Sequence, residues 1–299
     1  MYPAPRVVRT EIFARVPNRF RAKENVRLQS GVPRDCFLEG PSFDRDGNLY
    51  VTNIPYGRIF GVSPEGDFIL LASYDGEPNG LKIHKDGRLF IADHEQGLML
   101  LDPWSGKVEA FLDRPHGERF KGLNDLVFAK NGDLYFTDQG ESGLQDPTGR
   151  LYRLRAGGRL ELLLDNVPSP NGLVLTPNEE ILYLAATRNN GIWRVPLLPD
   201  GNLGRVGIFI QLSGGMGPEG MAMDAEGNLA VCRVGMGSVC LFSRLGRPLA
   251  EIQSCTGIGT TNAAYGGSDG KALYITKSET GTILSAKLEV SGKQMYSHM

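Results

Sequence analysis

The sequence is poor in cysteine, in net charge and in long apolar segments. Its four cysteines are too few and too scattered for a disulfide framework or a zinc site. Lysine and arginine (32) nearly cancel aspartate and glutamate (34), so the net charge of -2 offers no basic surface for nucleic acid or an anionic membrane. No apolar run approaches the roughly 18 residues that span a bilayer, and the start of the sequence lacks the apolar stretch of a secretory signal. We therefore expect a cytoplasmic protein with no nucleic-acid or membrane partner.

Long helical periodicity is also absent, whereas glycine is abundant, at 39 of 299 residues. Without a collagen-like period, this excess indicates many tight turns. One phrase recurs six times: a polar residue, an apolar strand, a turn that is usually Asp-Gly or Asn-Gly, and a second strand. Such turns between alternating apolar residues are typical of β-hairpins, because type I′ turns need positive φ. The first polar residue of each copy is called the anchor here, and the six anchors are Glu39, Asn79, Asn124, Asn171, Glu219 and Asn262.

The anchors are 40 to 48 residues apart, and a third strand follows each hairpin. Units of this size with three or four antiparallel strands are typical of propeller blades. We therefore predict an all-β fold, a six-bladed β-propeller that residues 1–299 form as a single domain. The alternating segment Val7–Val16 predicts a strand that completes the last blade and closes the ring. A solenoid or a pair of β-sandwiches is the alternative interpretation.

The anchors occupy one equivalent position in the repeat, and the first strand of a propeller blade lines the central channel. We therefore expect the six anchors to form a ring at one mouth of the channel. Every anchor offers a side-chain oxygen, and two are carboxylates. Such a ring suits a hard cation, since Ca²⁺ accepts six to eight oxygens in flexible geometry. The ring predicts one divalent cation, most readily Ca²⁺, with Mg²⁺, Mn²⁺ and Zn²⁺ as alternatives; a water-filled polar channel is the other interpretation.

The loops between the second and third strands should surround the same mouth. Five of them have five residues, and the third, DQGESGLQDPTG (138–149), has twelve. Loops on a rigid scaffold often carry function. The candidate acid–base groups here are Glu219, Asp138 and His94. The candidate substrate contacts are Asn79, Asn124, Tyr56, Gln139 and Asn262. A solvated loop histidine and a turn-capping aspartate are the alternative roles for His94 and Asp138.

Several blade phrases, among them EGPSFDRDGNLYVTN, GLNDLVFAKNGDLYFTD and GPEGMAMDAEGNLAV, resemble the gluconolactonase family, which includes senescence marker protein (regucalcin). The likeness extends over about residues 35–285. It implies a six-bladed propeller with one divalent ion, usually calcium, at the channel mouth, and hydrolysis of lactones. It also implies, residue by residue, that the metal ligands are Glu39, Asn124, Asn171 and Glu219.

The sequence departs from this family's pattern at two positions. The acidic ligand of the fifth blade is commonly aspartate, whereas Glu219 is longer by one methylene. Relatives that act on sugar-acid lactones place an arginine two residues before the asparagine of the third blade, and here Gly122 stands there beside Lys121. This departure disfavours a sugar-acid lactone without removing lactonase chemistry. The loop DHEQG (93–97) is similar to an acidic-His-Gly loop of some bacterial members, which adds interest to His94.

The expected function is metal-dependent hydrolysis of a small-molecule lactone to its hydroxy acid. In this hypothesis the metal polarises the carbonyl and activates water, and Glu219, Asp138 or His94 removes the proton. Asn79 and Asn262 would orient water or substrate around the ion. The alternatives are a phosphotriesterase-type hydrolase using the same ion and a non-enzymatic calcium-binding propeller. The sequence leaves monomer and dimer both open.

Overall fold

The recurring hairpins fold as six antiparallel sheets, the blades of a β-propeller. The structure is a computed structural model that describes residues 4–21, 26–27 and 33–299. The first strands of neighbouring blades contact one another in a closed cycle, from blade 1 to blade 6 and back to blade 1. This closed cycle confirms the predicted six-bladed propeller and excludes a solenoid or a pair of sandwiches.

The strands follow one another from the channel outward in each blade. Blades 1 to 3 contain Leu38–Phe43, Leu49–Asn53, Arg58–Val62 and Phe68–Ser73; Pro78–Ile83, Leu89–Asp93, Gly97–Leu101 and Val108–Leu112; and Leu123–Phe128, Leu134–Asp138, Gly149–Leu154 and Leu160–Val167. Blades 4 to 6 contain Pro170–Leu175, Ile181–Ala186, Gly191–Pro196 and Gly207–Gln211; Gly217–Met223, Leu229–Val234, Ser238–Phe242 and Pro248–Gln253; and Thr260–Gly266, Ala272–Lys277 and Thr282–Lys287. A separate two-stranded ribbon pairs Val26–Arg27 with Pro33–Arg34.

An N-terminal strand closes the ring, as the sequence predicted. Glu11–Arg15 pairs antiparallel with Thr282–Lys287 and supplies the fourth strand of blade 6. The alternating segment is nevertheless two strands, because Arg6–Arg9 pairs in parallel with Pro248–Gln253 as a fifth strand of blade 5. The chain therefore joins the last two blades as well as completing the sixth.

Apolar side chains of adjacent blades share their cores. Ile59 of blade 1 packs with Leu81 and Ile91 of blade 2, and all three are fully buried. In the same way, Ile283 of blade 6 belongs to one cluster with Phe60 of blade 1. Burying a side chain of this size stabilises a fold by about 1.5–3 kcal/mol, so these contacts hold the blades at fixed positions around the channel.

The last residues of the chain cross the mouth of the channel where the hairpin turns lie. The backbone N–H of Lys293 donates to blade 5 at 2.9 Å. The ring of Tyr296 stacks on that of Phe128 in blade 3, with centroids 5.1 Å apart. The carbonyl of Ser297 accepts from the Arg45 side chain of blade 1 at 2.7 Å. The segment therefore ties together three alternate blades of the ring.

Helical structure in the described residues is confined to short 3-10 turns, which are Asn18–Phe20, Ile54–Tyr56, Pro115–Gly117, Thr187–Asn189 and Tyr296–His298. Within this part of the chain, none of the helices has the length and hydrophobicity of a transmembrane span.

Candidate active site

A β-bulge lies at the anchor position of every blade. In blade 1 the pairing of the first two strands shifts register between Glu39 and Ser42, and in blade 4 it shifts between Pro170 and Leu173. The other four blades show the same irregularity at the same place. Because a bulge breaks the alternation of a strand and re-aims a side chain, the anchors can turn toward the mouth of the channel.

Glycine follows the anchor in four blades because neighbouring first strands nearly touch there. A Cβ at Gly40 would lie 2.6 Å from the carbonyl oxygen of Asn79, and a Cβ at Gly172 would lie 2.6 Å from that of Glu219. No larger residue fits this approach of two backbones. The anchor-glycine pairs of the sequence therefore mark places where the first strands of neighbouring blades approach closely.

Five of the six anchors line one cavity of about 220 Å³ at this mouth. They are Glu39, Asn79, Asn124, Asn171 and Glu219. The remaining lining consists of loop and strand-end residues, namely Phe37, Ile54, Glu77, His94, Gln139, Ser169, Thr187, Arg188, Met216 and Val234. The structure thus brings two carboxylates and three amides from five blades to one cavity, together with the predicted residues His94 and Gln139.

Glu39 is held in a buried network that contains a second carboxylate. Its Oε2 accepts from the backbone N–H of Gly40 at 2.7 Å and from Nδ2 of Asn262 at 2.9 Å. The same Nδ2 lies 3.2 Å from Oδ2 of Asp125. Burial, and then the charge of Asp125, raises the pKa of Glu39 to about 7. The sixth anchor, Asn262, therefore bridges two carboxylates beneath the cavity instead of lining it.

Asp125 is a site residue that the sequence reasoning missed. It is 3% exposed and follows the anchor of blade 3, where four other blades have glycine. Its Oδ1 lies 3.8 Å from Nζ of Lys82, a channel residue of blade 2. The replacement of the expected glycine by an acid was the signal that could have identified it.

A hydrogen-bonded chain orients Asn124. Its Nδ2 donates to Oε1 of Gln139 at 3.1 Å, and Nε2 of Gln139 donates to Oγ of Ser169 at 2.9 Å. Ser169 has a positive φ of 58° although it is not glycine, a strained conformation that is frequent at functional sites. Since the amide nitrogen of Asn124 is used in this chain, its carbonyl oxygen is the atom suited to a ligand role.

His94 occupies the space beside Gly122. A Cβ at position 122 would lie 2.3 to 2.8 Å from three atoms of the imidazole ring. The backbone N–H of His94 donates to the carbonyl of Glu77 at 3.0 Å. Burial raises the pKa of Glu77, and the neighbouring His94 opposes this shift. The ring of His94 therefore fills the space that a side chain at position 122 would occupy, and it lines the cavity there.

Asp138 lies outside the cavity lining. Its side chain is fully buried, and its Oδ1 accepts from the backbone N–H of Gly122 at 2.8 Å. Among the described residues, its Oδ2 has no hydrogen-bond partner, and Arg150 is 4.0 Å away. Burial raises the pKa of this carboxyl group, and the Gly122 N–H and the charge of Arg150 oppose the shift. The structure therefore places Asp138 behind the wall that His94 and Gly122 form.

Tyr56 is likewise absent from the cavity lining. It ends the 3-10 turn Ile54–Tyr56, and the guanidinium of Arg58 lies 5.3 Å from its ring centroid. Ile54 from the same turn does reach the cavity. The loop was thus correctly placed at this mouth, with a different residue in contact with the cavity.

The described residues contain no group of three or more His, Cys, Asp or Glu side chains arranged to hold a metal. The predicted ligand set has two carboxylates and two amides, so it does not constitute such a group. A cation in this cavity would depend on amide oxygens as much as on carboxylates.

These features define a class of protein: a six-bladed propeller with an acidic, amide-lined cavity at one mouth of its channel. Residues 37–279 match the family model of the SMP-30/Gluconolactonase/LRE-like region. The chain belongs to this family. Among curated relatives, the lactonase drp35 of Staphylococcus haemolyticus (strain JCSC1435) is 32% identical over 227 residues, which cover 72% of this chain and 69% of the relative.

Two solved structures share the fold. A gluconolactonase from Xanthomonas campestris has a TM-score of 0.75 at 21% identity, with 96% of this chain and 98% of that chain covered. A regucalcin from Agrobacterium tumefaciens, described as a calcium-binding protein, has a TM-score of 0.76 at 23% identity, with 98% of each chain covered. At these identities the likeness establishes the fold, and the chemistry has to be argued from the residues.

Proposed function

We propose that this protein is a lactonase that hydrolyses a small-molecule lactone to its hydroxy acid with the help of one divalent cation. The observation that carries the proposal is the convergence of Glu39, Glu219, Asn124 and Asn171 on one cavity of about 220 Å³. The names of the relatives, lactonase and gluconolactonase, support the same reaction class. A propeller hosts many functions, so the fold alone does not identify the reaction.

The donor set fits a hard cation, most readily Ca²⁺. Carboxylate and amide oxygens are the ligands that Ca²⁺ prefers, whereas Zn²⁺ favours nitrogen and sulfur. The buried Glu39 next to Asp125 has a raised pKa, so a positive charge in the cavity would stabilise its ionised form. Glu39, Asn124, Asn171 and Glu219 would hold the ion. When bound, it would polarise the lactone carbonyl and lower the pKa of water.

Glu219 is the general base in this proposal. It lines the cavity, whereas Asp138 lies behind the wall. The carboxylate of Glu219 accepts the proton of the attacking water, the new C–O bond forms at the carbonyl carbon, and the ring C–O bond breaks. The departing ring oxygen takes the proton back from Glu219, and the carboxylic acid that forms ionises, so the products are a carboxylate, a hydroxyl group and one proton released to solvent.

The other cavity residues position the reactants. Gln139 fixes the amide of Asn124, and Asn262 fixes the carboxylate of Glu39. Asn79 offers an amide to water or to the ring oxygens of the substrate, and His94 contacts the substrate from the wall beside Gly122. These groups are held by the blades, so they need little rearrangement when the substrate binds.

The proposal is tested by measuring acid release with a pH indicator. Protein stripped of metal by a chelator is supplied with Ca²⁺, Mg²⁺, Mn²⁺ or Zn²⁺ and given sugar-acid lactones and simple γ- and δ-lactones. We expect acid release that depends on the added cation, with simple lactones preferred to sugar-acid lactones because Gly122 offers no side chain to sugar hydroxyls.

An organophosphate triester in the same assay separates the alternatives. Triester turnover without lactone turnover would establish a phosphotriesterase. Tight calcium binding with neither activity would replace the proposal by a calcium-binding role. Metal-independent hydrolysis, or no binding of any cation, would overturn the reading of the cavity.

A further inference from the structure

Arg188 is an arginine in the lining of a cavity whose acidic lining residues are Glu39, Glu77 and Glu219. It lines the cavity from the loop between the second and third strands of blade 4, and its side chain is exposed. An arginine in a loop is ordinarily a solvated surface charge. Arg188 differs from such a surface residue because it lines the same cavity as Glu39 and Glu219.

The backbone of Arg188 is fixed in place. Its N–H donates to the carbonyl of Pro168 at 3.3 Å, and that of Thr187 donates to Ser169 at 3.0 Å. The hydroxyl of Thr187 also donates to the carbonyl of Pro218 in blade 5, at 2.7 Å. The 3-10 turn Thr187–Asn189 is therefore tied to two other segments of the mouth, and it presents the arginine from a rigid base.

The guanidinium of Arg188 has no hydrogen-bond or salt-bridge partner within the described ranges. Other arginines on this side of the propeller are engaged: Arg21 pairs with Asp35, Arg58 donates to Phe20, and Arg233 donates to Ser213. A guanidinium presents a planar set of donors that matches a carboxylate with two parallel hydrogen bonds. A guanidinium that lines a cavity without a protein partner can therefore bind the carboxylate of a ligand.

The balance of charges in the cavity allows an anionic ligand to bind. The carboxylates of Glu39 and Glu219 would be balanced by the proposed divalent cation. The one other acid in the lining, among the residues described, is Glu77, which lies beside His94 in blade 2. Arg188 comes from blade 4, and within the described residues no salt bridge joins it to any of these acids.

We propose that Arg188 binds a carboxylate on the substrate, so that the lactone this protein prefers carries a carboxylate on its ring. The inference rests on the proposed lactonase function and adds the substrate class to it. The cavity of about 220 Å³ suits a small ring with one short substituent. Arg188 acts here in binding and selectivity, and the bond-making steps stay with Glu219.

Two lactones that differ in one group test this inference. γ-Valerolactone carries a methyl group, and 5-oxotetrahydrofuran-2-carboxylate carries a carboxylate, on the ring carbon next to the ring oxygen. Water opens the second to 2-hydroxyglutarate with release of one proton. We expect kcat/KM in the presence of Ca²⁺ to favour the carboxylate by about tenfold, as one charge-assisted hydrogen-bonded pair provides.

Substitution of Arg188 should remove this preference. In Arg188→Gln the ratio of the two kcat/KM values should fall about tenfold, mainly through KM of the carboxylate substrate, and Arg188→Lys should retain part of it. Arg194→Gln is the matched control, since Arg194 is exposed on the same blade and outside the cavity. Equal ratios in wild type and Arg188→Gln, with γ-valerolactone hydrolysed, would overturn the inference and leave the lactonase function standing.

A binding measurement makes the test independent of turnover. Calorimetric titration with 2-hydroxyglutarate in Ca²⁺ should show affinity about tenfold lower in Arg188→Gln than in wild type or Arg194→Gln. If neither lactone is hydrolysed, the proposed function fails and this titration alone decides the role of Arg188. Equal affinity in the three proteins would then overturn it.

Discussion

The first strand of blade 1 has an acidic residue at each end, and the two carboxylates meet opposite environments. At the hairpin end, Oδ1 of Asp44 accepts from the backbone N–H groups of Asp46 and Asn48 at 2.9 Å each, and its Oδ2 accepts from the hydroxyl of Tyr50 at 3.0 Å. These donors come from the same hairpin, so the local sequence satisfies the acid. Asp44 is thereby a structural residue of a tight turn.

At the other end, Glu39 is satisfied only in part by its own strand. It is 5% exposed, it shares the amide of Asn262 with Asp125, and its pKa is raised by burial and by that second carboxylate. Buried charge of one sign costs stability unless an opposite charge offsets it. The donors of Asp44 come from its own hairpin and stabilise the fold, whereas Glu39, buried beside Asp125, lies at the candidate site.

The same contrast holds for the two mouths of the channel. At the hairpin mouth, the last residues of the chain pack across the blades, with Tyr296 7% exposed against Phe128. At the anchor mouth, the carboxylates and amides of five anchors line an open cavity of about 220 Å³. One mouth therefore contributes stability and the other is the proposed site of chemistry, and the following substitutions separate the two.

The largest effect is expected for Asn171→Ala at the anchor mouth. Loss of one proposed ligand should lower calcium affinity and calcium-dependent lactone hydrolysis at least about 100-fold, since even the partners of metal ligands typically contribute 10–100-fold. Calorimetry and the acid-release assay measure the two quantities. Asn178→Ala, in the exposed hairpin turn of the same blade, is the control and should behave as wild type. Wild-type calcium affinity in Asn171→Ala would refute the ligand assignment.

Glu219→Gln should reduce kcat by about 10²–10⁴-fold, because glutamine keeps the size of the side chain and cannot accept the proton of water. The matched change Glu226→Gln, at the exposed hairpin turn of blade 5, should leave kcat unaltered. Full activity in Glu219→Gln would remove this residue from the mechanism.

Tyr296→Ala should act on the other mouth. Removal of the buried ring should lower the free energy of unfolding by about 3 kcal/mol, while kcat/KM of the folded protein at low temperature stays unchanged. Tyr296→Phe keeps the ring contact with Phe128 and should restore stability. Denaturant unfolding measures the first effect, and a loss of kcat/KM in folded Tyr296→Ala would show that the two mouths are not separate.

Asp138→Asn should give the smallest effect, a change of about 1 kcal/mol in stability. Burial raises the folded-state pKa of Asp138 above 3.8, so the folded protein binds more protons than the unfolded chain between the two pKa values. The contribution of this group is complete below pH 3.8 and is lost as pH rises through the folded pKa.

Unfolding free energies of wild type and Asp138→Asn, measured from pH 4 to 7, should therefore diverge in favour of the variant as pH rises. Lactone turnover should stay within about threefold of wild type, since the side chain lies outside the cavity. A collapse of kcat with unchanged stability would instead make Asp138 the general base.

The repeat predicted the fold and the position of the anchors because both are periodic properties of the chain. The division of Val7–Val16 between two blades could not be predicted, since alternation shows that a segment is a strand without showing its partner. Asp138 and Tyr56 are predicted as site residues from the loops that contain them. Neither lines the cavity, because the sequence places a loop at the mouth without showing which of its side chains face the channel. Arg188 is part of no motif in the sequence. Its place in the cavity lining follows only from the way loops of different blades meet at the mouth.

The central claim is that the anchor mouth holds a divalent cation, and a crystal structure of the protein grown with Mn²⁺ and then with Ca²⁺ tests it most directly. We predict one anomalous peak for Mn²⁺ at the cavity, with oxygens of Glu39, Asn124, Asn171 and Glu219 around it, and Ca²⁺ in the same place at about 2.3–2.6 Å from its ligands. A cavity that contains only water, with the metal bound instead at acidic hairpin turns such as that of Asp44, would contradict the claim.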